Sequence, residues 1–333
     1  PLTVLRNGSG RCGEESAFLV AALRSVGIAA RQVYSPRWAH CDDNHAWVEA
    51  LCDGQWRFLG ACEPEPILDR GWFNTAASRA ILVHSRLFGT GTSPLHGTLL
   101  GSTGAVAWYN QTARYAHTRT YTFQVMRDGL PAAGAAVHIQ VLNEASFHTI
   151  TTLTADGAGQ AQVELGLGDF HVQAQLDGMT AEGDCTGPTL TLELERPGQS
   201  ATDWEDFTMA APKDASIHPA LLTPAQKEER AAVLATGSAH REGKLEGLDC
   251  SAQVPERWRD LVQAARGNGN VIAAFLSEDD DPRREAILRT LTQKDLRDVT
   301  TEVLSDHLTH TPNMDTLPQE VYTAWVLCPR TQL

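Results

Sequence analysis

The sequence has no apolar run that approaches the roughly 20 residues needed to cross a bilayer, and no signal peptide is visible. It also lacks any cluster of lysine and arginine. Its 27 basic residues against 41 acidic ones give a formal net charge of −14. These absences predict a protein with no membrane span and no nucleic-acid partner.

The cysteines are irregularly spaced. The seven cysteines are odd in number, which does not fit a disulfide framework and favours a reducing, cytoplasmic compartment, although the sequence leaves export open. Cys41, Asp42 and Asp43 stand close to His45, but this stretch has neither a C-x-x-C nor an H-x-x-x-H pair of the kind that zinc sites usually show. We therefore expect no metal site and no cofactor.

A glycine-containing turn that leads into an apolar helix is the most informative stretch of the chain. In "NGSGRCGEESAFLVAALRSVGIAARQVY" (residues 7–34), apolar residues recur at helical spacing up to Val26, and Gly27 is a natural stop. Cys12 then stands in the first helical turn, where unpaired N–H groups and the positive end of the helix dipole stabilise a thiolate. Cys12 is therefore a candidate nucleophile, and a buried, inert thiol is the alternative.

A histidine that could act as a base follows at the start of a predicted hairpin. In "NHAWVEALCDGQWRFLG" (residues 44–60) the residues from His45 to Leu51 alternate as in a strand, Asp53-Gly54 is a strong two-residue turn signal, and Gln55 to Leu59 form the return strand. A cysteine and a histidine brought together in space form a nucleophile and base pair.

These residues resemble a known family. "GRCGE" (10–14), "LRSVGIAARQV" (23–33) and "HAWVEALCDGQW" (45–56) resemble, in this order, the transglutaminase-like (papain-like cysteine hydrolase) superfamily, which includes transglutaminases, peptide N-glycanases and bacterial transglutaminase-like peptidases. "GRCGE" is most similar to the glycanase version. The resemblance implies a Cys12 nucleophile and a His45 base that act on an amide or related acyl carbon, with Trp72 and Phe73 lining the approach to the cysteine or packing in the core.

The acid that orients the histidine departs from the family pattern. The resemblance implies an aspartate four residues after the tryptophan of the second strand, but Gly60 stands there after Trp56. Glu63, in Cys62-Glu63-Pro64, is the nearest match to the family's Cys-Asp-Pro, and it reaches the site only if a bulge or an early strand end redirects it. Asp69 is a further candidate. The N–H of Cys12 is one donor for an oxyanion, and the sequence does not identify a second.

The rest of the chain predicts further domains. Residues 1–115 form the transglutaminase-like domain, which we expect to be truncated at its N-terminus, and its stretch from Gly89 to Gly104, rich in Gly, Ser and Thr, is predicted to be a loop. Residues 116–200 alternate as short strands with turns about every 10 residues, which predicts an antiparallel β-sandwich and resembles transthyretin-like or Ig-like modules. Residues 201–333 predict helices, one from Pro224 to a stop at Gly237 and another that starts at Pro282. We expect this region to continue beyond residue 333.

The predicted fold class is therefore α+β and multidomain. The predicted function is a cysteine-dependent amide hydrolase, a peptidase or amidase that acts on a polypeptide or glycopeptide through Cys12, His45 and Glu63 and a thioester intermediate. Transfer to an amine is the related alternative. A second class also stays open, because the missing aspartate favours a catalytically impaired protein that binds a polypeptide or glycan.

Overall fold

The computed structural model describes residues 1–7, 10–61, 65–89, 96–196, 208–218, 222–246, 249–314 and 316–329. The chain divides into two compact units, the first made of Pro1–Leu5 and Ser9–Leu234 and the second of Arg6–Gly8 and Ala235–Leu333. The domain boundaries predicted above remain a prediction, and each unit is described by itself.

The first unit begins with two helices and a six-stranded antiparallel sheet. The helices are α1 (Leu2–Asn7) and α2 (Cys12–Ser25), with α3 (Asn74–Ser78) following the third strand. The strands are β1 (Ala30–Ser35), β2 (His45–Cys52), β3 (Gln55–Leu59), β4 (His84–Phe88), β5 (Thr98–Thr103) and β6 (Val106–Asn110). Their order in the sheet is β3-β2-β1-β4-β6-β5.

Local sequence signals correctly predict the helix that begins at Cys12 and the hairpin that follows His45. The predicted helix is confirmed as α2, and Gly27 follows it in the left-handed region with φ of 84°. The predicted hairpin is confirmed as β2 and β3, joined through Asp53 and Gly54, which both have positive φ. The predicted loop between Gly89 and Gly104 is wrong in part: residues 90–95 lie outside the described chain, but 98–103 form β5 because their backbone groups pair with β6.

The two faces of this sheet are buried against different partners. Helix α2 packs on one face, where Val20 contacts Ala30 and Val48. The opposite face of β1, β2 and β3 carries a larger aromatic core, in which the buried residues are Val33, Trp38, Trp47, Phe58, Phe73, Ala77, Ala80, Val83 and Tyr115. Because side chains alternate along a strand, each residue of β2 is assigned to one of these two faces.

Two further sheets share one apolar core. Their strands are β7 (Thr118–Arg127), β8 (Leu130–Pro131), β9 (Ala136–Asn143), β10 (Ser146–Thr154), β11 (Gln160–Gly166), β12 (Phe170–Leu176), β13 (Met179–Cys185) and β14 (Thr189–Glu193). The orders are β10-β9-β12-β13 and β11-β7-β14, with β8 paired to β7. The expectation of wholly antiparallel pairing is wrong at one place, since β14 runs parallel to β7. The chain leaves one sheet after β13 and enters the other with β14, so no hairpin joins the two strands.

The core of these two sheets also takes in residues that precede β4. Ile81 and Leu82 are buried in the same cluster as Phe123, Ile139 and Phe170. The N–H of Gly166, at the end of β11, donates a 2.9 Å hydrogen bond to the carbonyl of Ile81. The strand-rich part is thus bound to the first sheet within one compact unit.

Helix α4 (Pro224–Glu246) starts at the predicted Pro224 but does not stop at Gly237. A glycine inside a helix costs only about 1 kcal/mol relative to alanine, and the residues that follow Gly237 continue the helix. The prediction of a stop there is therefore wrong.

The second unit is helical and has its own core. Its further helices are α5 (Arg259–Ala265), α6 (Gly269–Ser277), α7 (Pro282–Thr290), α8 (Gln293–Asp298), α9 (Thr301–His310) and α10 (Gln319–Tyr322). The core includes Val262, Ile272, Phe275, Ile287 and Leu304. The predicted start of α7 at Pro282 is confirmed, with Asp281 as its N-cap. Across the described residues, no helix is both long and apolar enough to cross a membrane.

Candidate active site

Cys12 is the first residue of α2, and its residue surface is partly exposed. The backbone N–H of Arg11, at the N-cap, donates a 2.8 Å hydrogen bond to a carboxylate oxygen of Glu14. The first-turn amides of a helix point out of its N-terminus, toward the region that surrounds such a cysteine. Cys12 therefore occupies the position that the sequence predicted, in a setting that suits a nucleophile.

A chain of hydrogen bonds ties this first turn to β1. The amide nitrogen of Gln32 donates to the carbonyl of Gly13 and to Oγ of Ser16, both at 2.6 Å. Ser16, which is fully buried, donates in turn to the carbonyl of Cys12. The hydroxyl of Tyr34 donates to Oε1 of Gln32. The backbone that carries Cys12 is thereby held against the sheet.

His45 is the first residue of β2 and is 7% exposed. Its imidazole packs among three aromatic rings, with centroid distances of 4.8 Å to Trp72, 4.9 Å to Phe73 and 5.7 Å to Trp47. Burial lowers the pKa of His45 to about 4, and the carboxylate of Asp43 opposes this shift. The histidine is therefore neutral at neutral pH.

The structure does not bring Cys12 and His45 into contact. Val48 contacts α2, whereas Trp47 belongs to the aromatic core on the other face of the sheet. His45 shares the face of Trp47 because two residues along a strand separate them. Among the described residues, no hydrogen bond or ion pair joins the thiol and the imidazole. The backbone of His45 nevertheless lies beside β1, the strand to which the first turn of α2 is hydrogen-bonded. Its register partner on β1 is Ser35, the neighbour of Tyr34.

The two acids that the sequence offered as partners of the histidine are Glu63 and Asp69. Glu63 lies outside the described residues. Asp69 accepts hydrogen bonds from Arg57 at 2.6 Å and from the N–H of Phe58 at 3.0 Å, so it serves β3. The carboxylate whose charge reaches His45 is that of Asp43, two residues earlier in the chain.

Sequence reasoning missed a second histidine, on the face that α2 covers. His84, at the start of β4, is 4% exposed and pairs in register with Tyr34, and their rings stack at 5.6 Å. Its Nδ1 is buried without a hydrogen-bond partner among the described residues. Burial lowers the pKa of His84 to about 4, and the charge of Arg86 acts in the same direction. No motif in the sequence marks this residue, because its position depends on the pairing of β1 with β4.

Behind His45, the aromatic face of β2 ends in a buried ion cluster. Glu49, fully buried, accepts hydrogen bonds from Arg31 at 2.6 Å, from Arg114 at 2.7 Å and from the hydroxyl of Tyr115 at 2.7 Å. A cavity of about 670 Å³ opens next to Arg31 and Arg114 and is also lined by Trp56 and Asp69. Neither Cys12 nor His45 lines it, so this cavity is separate from the thiol.

No cluster of three or more His, Cys, Asp or Glu side chains that could hold a metal ion occurs in the described part of the chain. In comparisons with known proteins, no curated protein matches the sequence significantly. The family model of the transglutaminase-like superfamily matches residues 1–61, the segment that contains both Cys12 and His45.

Proposed function

We propose that this protein is a cysteine-dependent amide hydrolase that acts on a polypeptide or glycopeptide, with Cys12 as nucleophile and His45 as base. The observation that carries the proposal is the position of Cys12 as the first residue of α2, partly exposed, within the segment that matches the transglutaminase-like superfamily. Proteins of this superfamily are typically cysteine hydrolases or transferases.

The reaction follows from a thiol and a neutral imidazole. His45 takes the thiol proton, and Sγ of Cys12 forms a bond to the acyl carbon while the carbonyl electron pair moves to oxygen. The electron pair on oxygen then re-forms the carbonyl, the C–N bond breaks, and the amine leaves with the proton from the imidazolium. Water then attacks the thioester with His45 as base, which releases the acid and restores the thiol. We favour water over an amine as acceptor, because no amine-binding site is recognisable in the sequence.

The proposal requires the imidazole to turn from Trp72 and Phe73 toward the α2 side of the sheet. His45 starts β2, and its register partner Ser35 adjoins Tyr34, whose titration senses the charge of Cys12. Glu63 remains the proposed acid of the triad, and Asp43 is the described carboxylate that acts on His45.

Two observations favour a second function, a binding protein of the same family type that has lost catalysis. The acid position holds Gly60, and His45 packs on the face of β2 opposite α2. In that case the surface around Cys12 would hold a polypeptide or glycan without cleaving it. The two functions differ in whether the thiol is activated by the histidine.

The deciding experiment is the pH dependence of iodoacetamide alkylation at Cys12, followed by mass spectrometry in wild type, His45→Ala and His171→Ala. His171 is a matched control, because it is also a largely buried histidine on a strand, β12, and its ring also stacks on an aromatic ring, that of Phe147. Cys52, partly exposed in the same molecule, gives an internal reference rate.

If the proposal is right, wild-type Cys12 reacts about 100-fold faster near pH 6 than a thiol with the ordinary pKa of about 8.5. His45→Ala then moves its profile toward that ordinary thiol, whereas His171→Ala does not. Slow alkylation of Cys12 whose rate does not change in His45→Ala contradicts the proposed hydrolase and supports the binding protein.

A further inference from the structure

The developing negative charge of a thiol acyl transfer needs two donors, and only the amide of Cys12 has been identified so far. One donor removed from such a site typically costs on the order of 100- to 1000-fold in rate. The second donor must sit on the α2 side of the sheet, close to the first helical turn, and must keep its proton at neutral pH.

Tyr34 is placed for this role by its contacts. Its hydroxyl donates to Gln32, whose amide is fixed to Gly13 and Ser16 in the first turn of α2. The phenol thus points to the end of the helix at which Cys12 stands. It projects from the face of β1 that α2 covers, two residues beyond Gln32.

The surroundings of Tyr34 keep its hydroxyl protonated. Burial raises the pKa of Tyr34, the guanidinium of Arg86 opposes the rise, and the charge of the Cys12 thiolate adds to it. A neutral phenol is the form that can donate a hydrogen bond to an oxyanion.

Two neighbours contact the ring of the phenol, and one of them, Arg86, strengthens it as a donor. The guanidinium carbon of Arg86 lies 4.6 Å from the centroid of the Tyr34 ring, and a cation over the ring withdraws electron density from it. His84 also stacks on the Tyr34 ring, and its Nδ1 is buried with no hydrogen-bond partner in the described residues. Such unsatisfied polar atoms are costly in a core and are often retained at functional sites.

We propose that Tyr34 is a catalytic residue, the second oxyanion donor for acyl transfer at Cys12. When Sγ bonds to the acyl carbon and the carbonyl pair moves to oxygen, the Tyr34 hydroxyl turns from Gln32 to that oxygen. It returns to Gln32 when the pair re-forms the carbonyl and the leaving group departs. This inference rests on the proposed function.

The test compares two reactions of the same thiol. Acylation of Cys12 by p-nitrophenyl acetate passes through a tetrahedral oxyanion and releases p-nitrophenolate, whereas alkylation by iodoacetamide displaces iodide and forms no oxyanion. Both rates are measured at one pH in wild type, Tyr34→Phe and the control Tyr109→Phe, with mass spectrometry to locate the modified residue. Tyr109 is a buried tyrosine on β6 of the same sheet.

We expect Tyr34→Phe to slow acylation by on the order of 100-fold with alkylation unchanged, and Tyr109→Phe to change neither rate. Equal loss of both rates would mean that Tyr34 acts on the thiol or on the fold, and unchanged rates would mean that it does nothing for the oxyanion. Either result overturns the inference and leaves the proposed function standing. If wild-type Cys12 is not acylated at all, the proposed function fails and the inference falls with it.

Discussion

The imidazole of His45 lies with its ring centroid 4.9 Å from that of Phe73, a residue with no exposed surface. Burial of this kind penalises the charged form, and it lowers the pKa of His45 to about 4 from an ordinary 6.5, as it does for His84. Both histidines bind a proton more readily in the unfolded chain than in the folded one.

Acidification should therefore destabilise the protein before its carboxylates titrate. For each histidine the folded pKa lies below the unfolded one. The stability that the neutral histidine contributes is therefore fully present above about pH 6.5 and is lost as the pH falls toward 4. Each histidine should account for about 2 kcal/mol of lost unfolding free energy between pH 6.5 and 4.5. Urea unfolding at several pH values measures it. His45→Gln and His84→Gln should each flatten the dependence, while His240→Gln, on an exposed residue of α4, should not.

The Glu49 cluster predicts a large loss when its negative charge is removed. Glu49→Gln leaves Arg31 and Arg114 without their shared carboxylate, and Arg31 is 6% exposed. Breaking a buried pair from one side typically costs about 3–5 kcal/mol, and we expect that loss in denaturant unfolding. Asp177→Asn is the control, because Asp177 pairs with Arg127 at the surface and should cost less than about 1 kcal/mol. A similarly small effect at Glu49 would contradict the prediction.

Gly166 should not tolerate a side chain. A Cβ placed on it would lie 1.9 Å from the backbone oxygen of Ala80, so the backbone on one side must move. Gly166→Ala should lower the unfolding free energy by at least about 1–3 kcal/mol, as overpacking does. In the same strand-rich part, Gly157→Ala meets open space and serves as the control. Equal unfolding free energies of the two variants would contradict the close packing of Gly166 against the backbone of Ala80.

Asp281 should hold the start of α7. Its carboxylate accepts a 2.9 Å hydrogen bond from the N–H of Arg283, and loss of such a cap costs about 1 kcal/mol. Asp281→Ala should speed hydrogen exchange of the α7 amides about fivefold. Asp280→Ala removes the neighbouring charge without removing the cap, so exchange should stay near the wild-type rate. An α7 that exchanges alike in both variants would argue against this cap.

The parts of the fold that sequence reasoning placed correctly are the ones set by neighbours in the chain. Asp53-Gly54 fixes the hairpin because few other residues adopt its backbone angles, and Asp281-Pro282 fixes a helix start. The parallel pairing of β14 was missed because its partner β7 is distant in sequence. Strand β5 was missed although its partner β6 follows directly in the chain, because the glycine, serine and threonine content of this stretch is typical of a loop. Gly237 was overweighted, since a single glycine is too small a penalty to end a favourable helix.

The candidate site divides in the same way. The place of Cys12 at a helix start was readable from the turn and the apolar spacing, but the face of the sheet on which His45 lies depends on how α2 packs. Tyr34 and His84 meet only because β1 pairs with β4. No local pattern could have shown that contact.

The close approach of Gly166 to Ala80 bears on how such a protein can be assembled from parts over evolutionary time. Because Ile81 and Leu82 are buried among residues of the strand-rich sheets, exchanging those sheets for an unrelated module would leave an apolar face without a partner. A recombination near residue 116 would therefore yield a working chain only if the incoming module brought its own glycine and its own complementary surface to the same place. The two parts are expected to be inherited as a pair.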